Sequence, residues 1–128
     1  MFRPLAPAVL AEHATDYFQL HRAGEHVYPF MLATSAVEPS KRHVIPAVVH
    51  VDGSARVQTV PRATNPLFWS LIEAYRRRTG LPVVLNTSFN EADEPIVCSP
   101  QDAVRTFTAC GLDALVIGHY MARKITQA

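Results

Sequence analysis

The stretch 65–85 constrains the fold more than any other part of the chain. Asn65 is a favourable N-cap, and Pro66 suits the first helical position, where its missing N–H leaves no bond unmade. Leu67, Phe68, Leu71, Ile72 and Tyr75 then recur at i, i+3/i+4 spacing and predict one apolar helix face. Arg76, Arg77 and Arg78 complement the helix dipole in the last turn, and Gly80 is a natural C-cap. The segment LPVVL at 81–85 follows at once, an unbroken apolar strand of the kind buried on both faces of a sheet. Helix and strand in this order point to an α/β fold.

The same logic runs downstream. Ser99 and Pro100, with Asp102 at N3, open a second helix through Ala103, Val104 and Phe107 to Gly111. ALVIG at 114–118 reads as another buried strand, so 82–118 reads strand, loop, helix, strand, a crossover with parallel strands. Upstream, Ala14, Tyr17 and Phe18 predict a short helix within 11–20, and 28–36 is strand-like. A polar loop at 38–43 precedes IPAVVHV at 45–51, which reads as a buried strand. Asp52-Gly53 is a turn signal and 54–60 alternates in period two, so a β-hairpin is expected over 45–60. Residues 1–10, with Pro4 and Pro7, form an extended entry with no strand of their own to pair. The expectation is a fragment of something larger, truncated on its N-terminal side, with a frayed tail at 124–128.

The 128 residues suffice for one domain, and a 48% hydrophobic content supplies a core. Twelve Lys+Arg against 11 Asp+Glu leave a formal charge of +1, which argues against a general nucleic-acid or acidic-membrane binder. Anion recognition must then be local. Cys98 and Cys110 fit neither a disulfide framework nor a zinc cluster and are expected to be reduced, packed thiols. With no membrane-length apolar run and no signal-peptide pattern, the expected setting is the cytoplasm, without a membrane.

Asn86-Thr87-Ser88-Phe89-Asn90 is the richest candidate site, because ligands of open α/β sheets bind at the carboxyl ends of strands. Its amides and hydroxyls suit a ribose, a phosphate oxygen or a carbonyl, or equally a turn that caps its own backbone. Arg56, flanked by Ala55 and Val57, reads either as an anion ligand or as an exposed edge-strand arginine. His50 and Asp52, two apart, would share a strand face, with Asp52 orienting His50 toward a substrate. Arg3, between Phe2 and Pro4, points inward at an anion or outward at water. Arg76–Arg78 reads as a solvated helix end and EADE at 91–94 as a solvated acidic loop. No glycine-rich phosphate loop occurs, and no histidine shows metal spacing, so no metal site is expected in this chain.

These residues also carry a likeness. HVDGSARVQTV at 50–60 and TGLPVVLNTSFN at 79–90 closely resemble the C-terminal region of the O-carbamoyltransferases. EPIV at 94–97, SPQDA at 99–103, GLDALVIG at 111–118 and FRPLAPA at 2–8 continue the match across nearly the whole chain. That family includes the enzymes that carbamoylate nodulation factors, cephamycin-type β-lactams and aminoglycosides. The resemblance implies a YrdC-like domain, a twisted mixed sheet with flanking helices, beside an actin-like transferase domain that holds an iron ion. It implies ATP, with Mg2+, and carbamoyl phosphate as ligands, joined into carbamoyl adenylate for transfer to an acceptor hydroxyl. Arg3, Arg56, Asn86 and Ser88 match positions that contact nucleotide, phosphates or carbamoyl group, with Arg56 and Ser88 in catalytic roles; His50 and Asn90 are added as neighbours. The actin-like domain and a lysine-bearing KxRE element, expected just before FRP, lie outside this chain.

A second reading is a non-catalytic nucleotide- or RNA-binding module of the same fold, and a third a purely structural or dimerising piece. Near-neutral charge argues against RNA. The dense polar constellation argues against a merely structural role. An open strand edge makes a homodimer an expectation.

Overall fold

The computed structural model describes residues 5–22 and 25–125 of the chain. It is a mixed α/β protein that divides into two compact units, Met1–Thr87 and Ser88–Ala128. In chain order the first unit holds β1 (Ala6–Leu10), α1 (Ala14–Tyr17), β2 (Ser35–Ala36), β3 (Ser54–Ala55), β4 (Gln58–Val60), α2 (Pro66–Thr79) and β5 (Val83–Asn86).

The segment expected to enter without a partner is the centre of the sheet. β1 lies between β4, parallel to it, and β5, antiparallel. All five of its residues are buried, and Pro7 sits near the strand start, where a missing ladder donor is best tolerated. Period two divides the strands between two cores. Ala8, Leu10 and Val60 face Ile72, Phe68 and Trp69 of α2, together with Val84. Val9 and Val83 face the other way, into a cluster with Phe18, Tyr28, Val37 and Val57.

Helix α2 spans its predicted length. Gly80 ends it in the left-handed conformation at φ 79°, its N–H bonded to the Arg76 carbonyl at 2.7 Å. Asn65 is the N-cap residue, although its side chain makes no capping bond. The buried stripe differs from the expected one: Ile72 is fully buried while Leu67 and Leu71 are 84% and 62% exposed. One residue step turns a helix by about 100°, so the 68/72 row faces the sheet and the 67/71/75 row does not. The arginine run is more than a solvated end. Arg76 and Arg77 both bond the largely buried Glu73, at 2.7 and 2.9 Å, and these hydrogen bonds, helped by the two positive charges, hold its carboxyl at about 2, down from 4.5.

Several expected strands are shorter or absent. Pro29 and Pro46 each open a 3-10 turn, Tyr28–Phe30 and Pro46–Val48, in place of continuous strands at 28–36 and 45–51. The hairpin expected over 45–60 is replaced by two separate pairings: β3 with β2, and β4 with β1. The Asp52-Gly53 turn is present, with Gly53 at φ 81°. The helix expected within 11–20 is a 3-10 turn, Ala11–His13, followed by the single turn of α1. β5 is an edge strand rather than one buried on both faces, and Leu85 is 44% exposed.

The second unit holds α3 (Pro100–Ala109), β6 (Ala114–Ile117) and β7 (Tyr120–Arg123). Ser99 caps α3 as expected: its Oγ accepts from the Asp102 N–H at 3.1 Å and donates to Asp102 Oδ2 at 2.6 Å. The helix buries Ala103, Thr106 and Phe107 and ends at Ala109, short of the expected Gly111. β6 pairs antiparallel with β7 through a turn at Gly118, so the parallel crossover over 82–118 does not form. Nor is β6 a buried strand; its residues alternate exposed and half-buried. Cys98 and Cys110 are free, but Cys98 is exposed rather than packed. Of the expected tail, Lys124 lies over the Phe107 ring, 5.3 Å from its centre, and residues 126–128 lie outside the described residues. Among the described residues no helix is long and apolar enough to cross a membrane.

Candidate functional site

Strand directions bring Asn86 and Gln58 to one end of the sheet of the first unit. The N-terminal ends of β1 and β4 and the C-terminal end of β5 coincide, because β4 runs with β1 and β5 against it. Asn86 closes β5 opposite Ala6, and Gln58 opens β4 opposite Ala8. The two alanines are small enough for the flanking amides to meet across β1. Asn86 Nδ2 donates to Gln58 Oε1 at 2.7 Å, and Gln58 Nε2 donates to the Pro29 carbonyl at 3.2 Å. Gln58 was not singled out from sequence, although its period-two spacing from Arg56 was a usable signal.

Arg56 links β3 to β4 and is exposed, two residues before Gln58. Among the described residues it makes no ion pair or hydrogen bond, which leaves its guanidinium fork free. It is therefore not an edge-strand arginine, and no carboxylate among the described residues holds it.

His50 and Asp52 lie in the turn before β3, not on a strand face, and are linked through Ser54. The Asp52 carboxylate accepts from the Ser54 N–H at 2.9 Å and from its hydroxyl at 2.7 Å; these bonds lower its pKa. His50 Nδ1 lies 3.1 Å from the same hydroxyl. A serine hydroxyl has one proton, and here it goes to Asp52, so Ser54 Oγ accepts from His50 Nδ1–H. His50 Nε2 is buried and, among the described residues, without a hydrogen-bond partner. Leaving such an atom unpaired costs about 1–3 kcal/mol. Gly53 lets Arg42 close over this turn: a Cβ there would lie 2.6 Å from Arg42 Nη2.

In the second unit Ser88 is exposed, with no hydrogen bond among the described residues. Asn90 is committed within its own loop, donating to the carbonyls of Glu91 and Glu94 at 3.0 and 3.1 Å. That is the turn-capping alternative read from the sequence. Arg3 lies outside the described residues. Among the described residues no group of three or more His, Cys, Asp or Glu side chains is placed to hold a metal ion. An apolar groove of about 380 Å³, between Pro46, Tyr75, Val83 and Leu85, offers no charged group to a phosphate.

Comparison with known proteins fits these residues into a family. The chain is 50% identical over 127 residues to "Nodulation protein NolNO" of Sinorhizobium fredii, covering 99% of this chain and 18% of that protein. It is 48% identical over 123 residues to "Nodulation protein NolO" of Bradyrhizobium diazoefficiens, covering 96% and 22%. An uncharacterized protein of Methanocaldococcus jannaschii is 39% identical over 124 residues, covering 97% and 23%. The chain thus spans about a fifth of the length of these relatives. Residues 1–124 match the family described as "Carbamoyltransferase C-terminus", and the chain belongs to that family.

Proposed function

We propose that the chain binds carbamoyl phosphate and ATP, and serves as the module of an O-carbamoyltransferase in which carbamoyl adenylate forms. The observation that carries this reading is the amide pair of Asn86 and Gln58 at one sheet end, with the exposed Arg56, unpaired among the described residues, two residues before Gln58 in the chain. Both ligands bring several negative charges, and a guanidinium offsets their repulsion and stabilises charge that develops in transfer. The carbamoyl group is a small amide, with N–H donors and one carbonyl acceptor. Asn86 offers its Oδ1 acceptor and the second N–H of Nδ2.

The step balances with one water. Carbamoyl phosphate and water give carbamate and phosphate; a carbamate oxygen then bonds the α-phosphorus of ATP, and pyrophosphate leaves. The acceptor hydroxyl attacks the carbamoyl carbon, and AMP departs. In this reading the transfer belongs to a companion actin-like domain that holds iron, and the whole enzyme works in the cytoplasm. The family resemblance gives Ser88 a catalytic share. The names of two relatives favour an acceptor tied to nodulation over one tied to antibiotic synthesis.

Isotope exchange tests the proposal. Labelled pyrophosphate is expected to enter ATP only when carbamoyl phosphate is present. Exchange without carbamoyl phosphate would contradict it, and salt-sensitive RNA binding without exchange would favour the non-catalytic module.

A further inference from the structure

We propose that Gln58 is a positioning residue that fixes which way round the Asn86 amide faces, and thereby makes the site select an N–H donor over an isosteric methyl group. The inference rests on the reading of the chain as a carbamoyl-phosphate-binding module.

The Pro29 carbonyl sets the first orientation. A backbone carbonyl can only accept, so the end of Gln58 that faces it at 3.2 Å must be the Nε2 amide nitrogen. Gln58 Oε1 is then turned toward Asn86, and an oxygen there requires a donor. Asn86 must present Nδ2, as the 2.7 Å bond shows. Each link leaves one orientation for the next, and turning either amide over would set two acceptors or two donors against each other. The Asn86 carbonyl oxygen Oδ1 is therefore the end left unbonded among the described residues. The alternation of β1 supports the chain from beneath: Ala6 and Ala8 share the face over which the amides meet, and larger residues there would separate them.

An amide that presents its oxygen recognises hydrogen-bond donors. The carbamoyl amino group is one, whereas the methyl of acetyl phosphate has the same place and similar size without an N–H. The phosphate is common to both, so the charge contributed by Arg56 cancels in the comparison. Selectivity then reads the Asn86 orientation alone.

The test is calorimetric titration of the 128-residue chain with carbamoyl phosphate and with acetyl phosphate, repeated on Gln58→Met and Gln58→Glu. Met keeps the length of the side chain without its polar end; Glu keeps an acceptor toward Asn86. The native chain is expected to prefer carbamoyl phosphate by about tenfold or more, the scale of one well-placed hydrogen bond. Gln58→Met is expected to bring the ratio near one through weaker binding of carbamoyl phosphate, and Gln58→Glu to keep the preference. Circular dichroism verifies that each variant is folded. A preference retained in Gln58→Met overturns the positioning role. Equal binding of both phosphates by the native chain overturns the selectivity while leaving the proposed function standing. Binding of neither overturns that function and the inference with it.

Discussion

Gly53→Ala separates backbone strain from side-chain crowding in the turn that carries His50 and Asp52. Gly53 sits at φ 81°, and an L-residue in that region costs about 1–2 kcal/mol. Reduced freedom of the unfolded chain offsets about 0.4–1 kcal/mol of this, leaving about 1 kcal/mol net. Gly80 has nearly the same φ, 79°, with nothing within 4 Å of a Cβ placed there, so Gly80→Ala measures the backbone contribution alone. At Gly53 the new Cβ would lie 2.6 Å from Arg42 Nη2 and 2.8 Å from Cζ, closer than non-bonded atoms come. The exposed guanidinium yields, but its 3.3 Å bond from Nε to the Val37 carbonyl is lost, worth about 0.5–1.5 kcal/mol. Gly53→Ala is therefore expected to destabilise by about 1.5–2.5 kcal/mol, against about 1 kcal/mol for Gly80→Ala. In an Arg42→Ala background its cost should fall to the Gly80→Ala level. Urea denaturation followed by far-ultraviolet circular dichroism provides the comparison. The reasoning is refuted if Gly53→Ala costs no more than Gly80→Ala, or costs the same whether or not Arg42 is present.

Three further outcomes follow from packing and charge. Ile72→Ala should cost about 2–5 kcal/mol in the same assay because it empties the α2–sheet core, while Leu67→Ala should stay within about 0.5 kcal/mol; similar losses would contradict the assigned helix face. The depressed pKa of Glu73, about 2 against 4.5, contributes stability that is fully present above pH 4.5 and is lost as pH falls toward 2. Glu73→Gln should thus flatten stability against pH over that window, and an unchanged slope would remove the ion pairs as its cause. Ser99→Ala should cost about 1 kcal/mol through loss of the α3 cap, read by hydrogen exchange of the first-turn amides.

How much the sequence discloses depends on how local the determining interaction is. Both long helices carry their own start and stop signals, and Pro66, Gly80, Ser99 and Asp102 mark ends that the structure places within two residues. Strand pairing was harder to read. β1 pairs with segments about 50 and about 75 residues away, and nothing within 1–10 announces those partners. Apolar runs misled for a related reason: Ile45 and Val48 are buried by a 3-10 turn as effectively as by a strand, and periodicity over so short a run does not separate the two. At the site, the residue types at 50–56 and 86 were legible, but the links between them were not. Ser54 stands between His50 and Asp52, and Gln58 fixes Asn86 from a strand 28 residues earlier. Such second partners are set by register, which only the fold supplies.

The most direct test of the central claim is calorimetric titration of the chain with ATP, with and without carbamoyl phosphate, beside the Arg56→Ala variant. The native chain is expected to bind and, with the circular dichroism spectrum unchanged, the variant to lose at least about tenfold in affinity, as for a charge-assisted contact. Equal affinity in a folded Arg56→Ala variant would contradict that claim and remove Arg56 as the anion ligand.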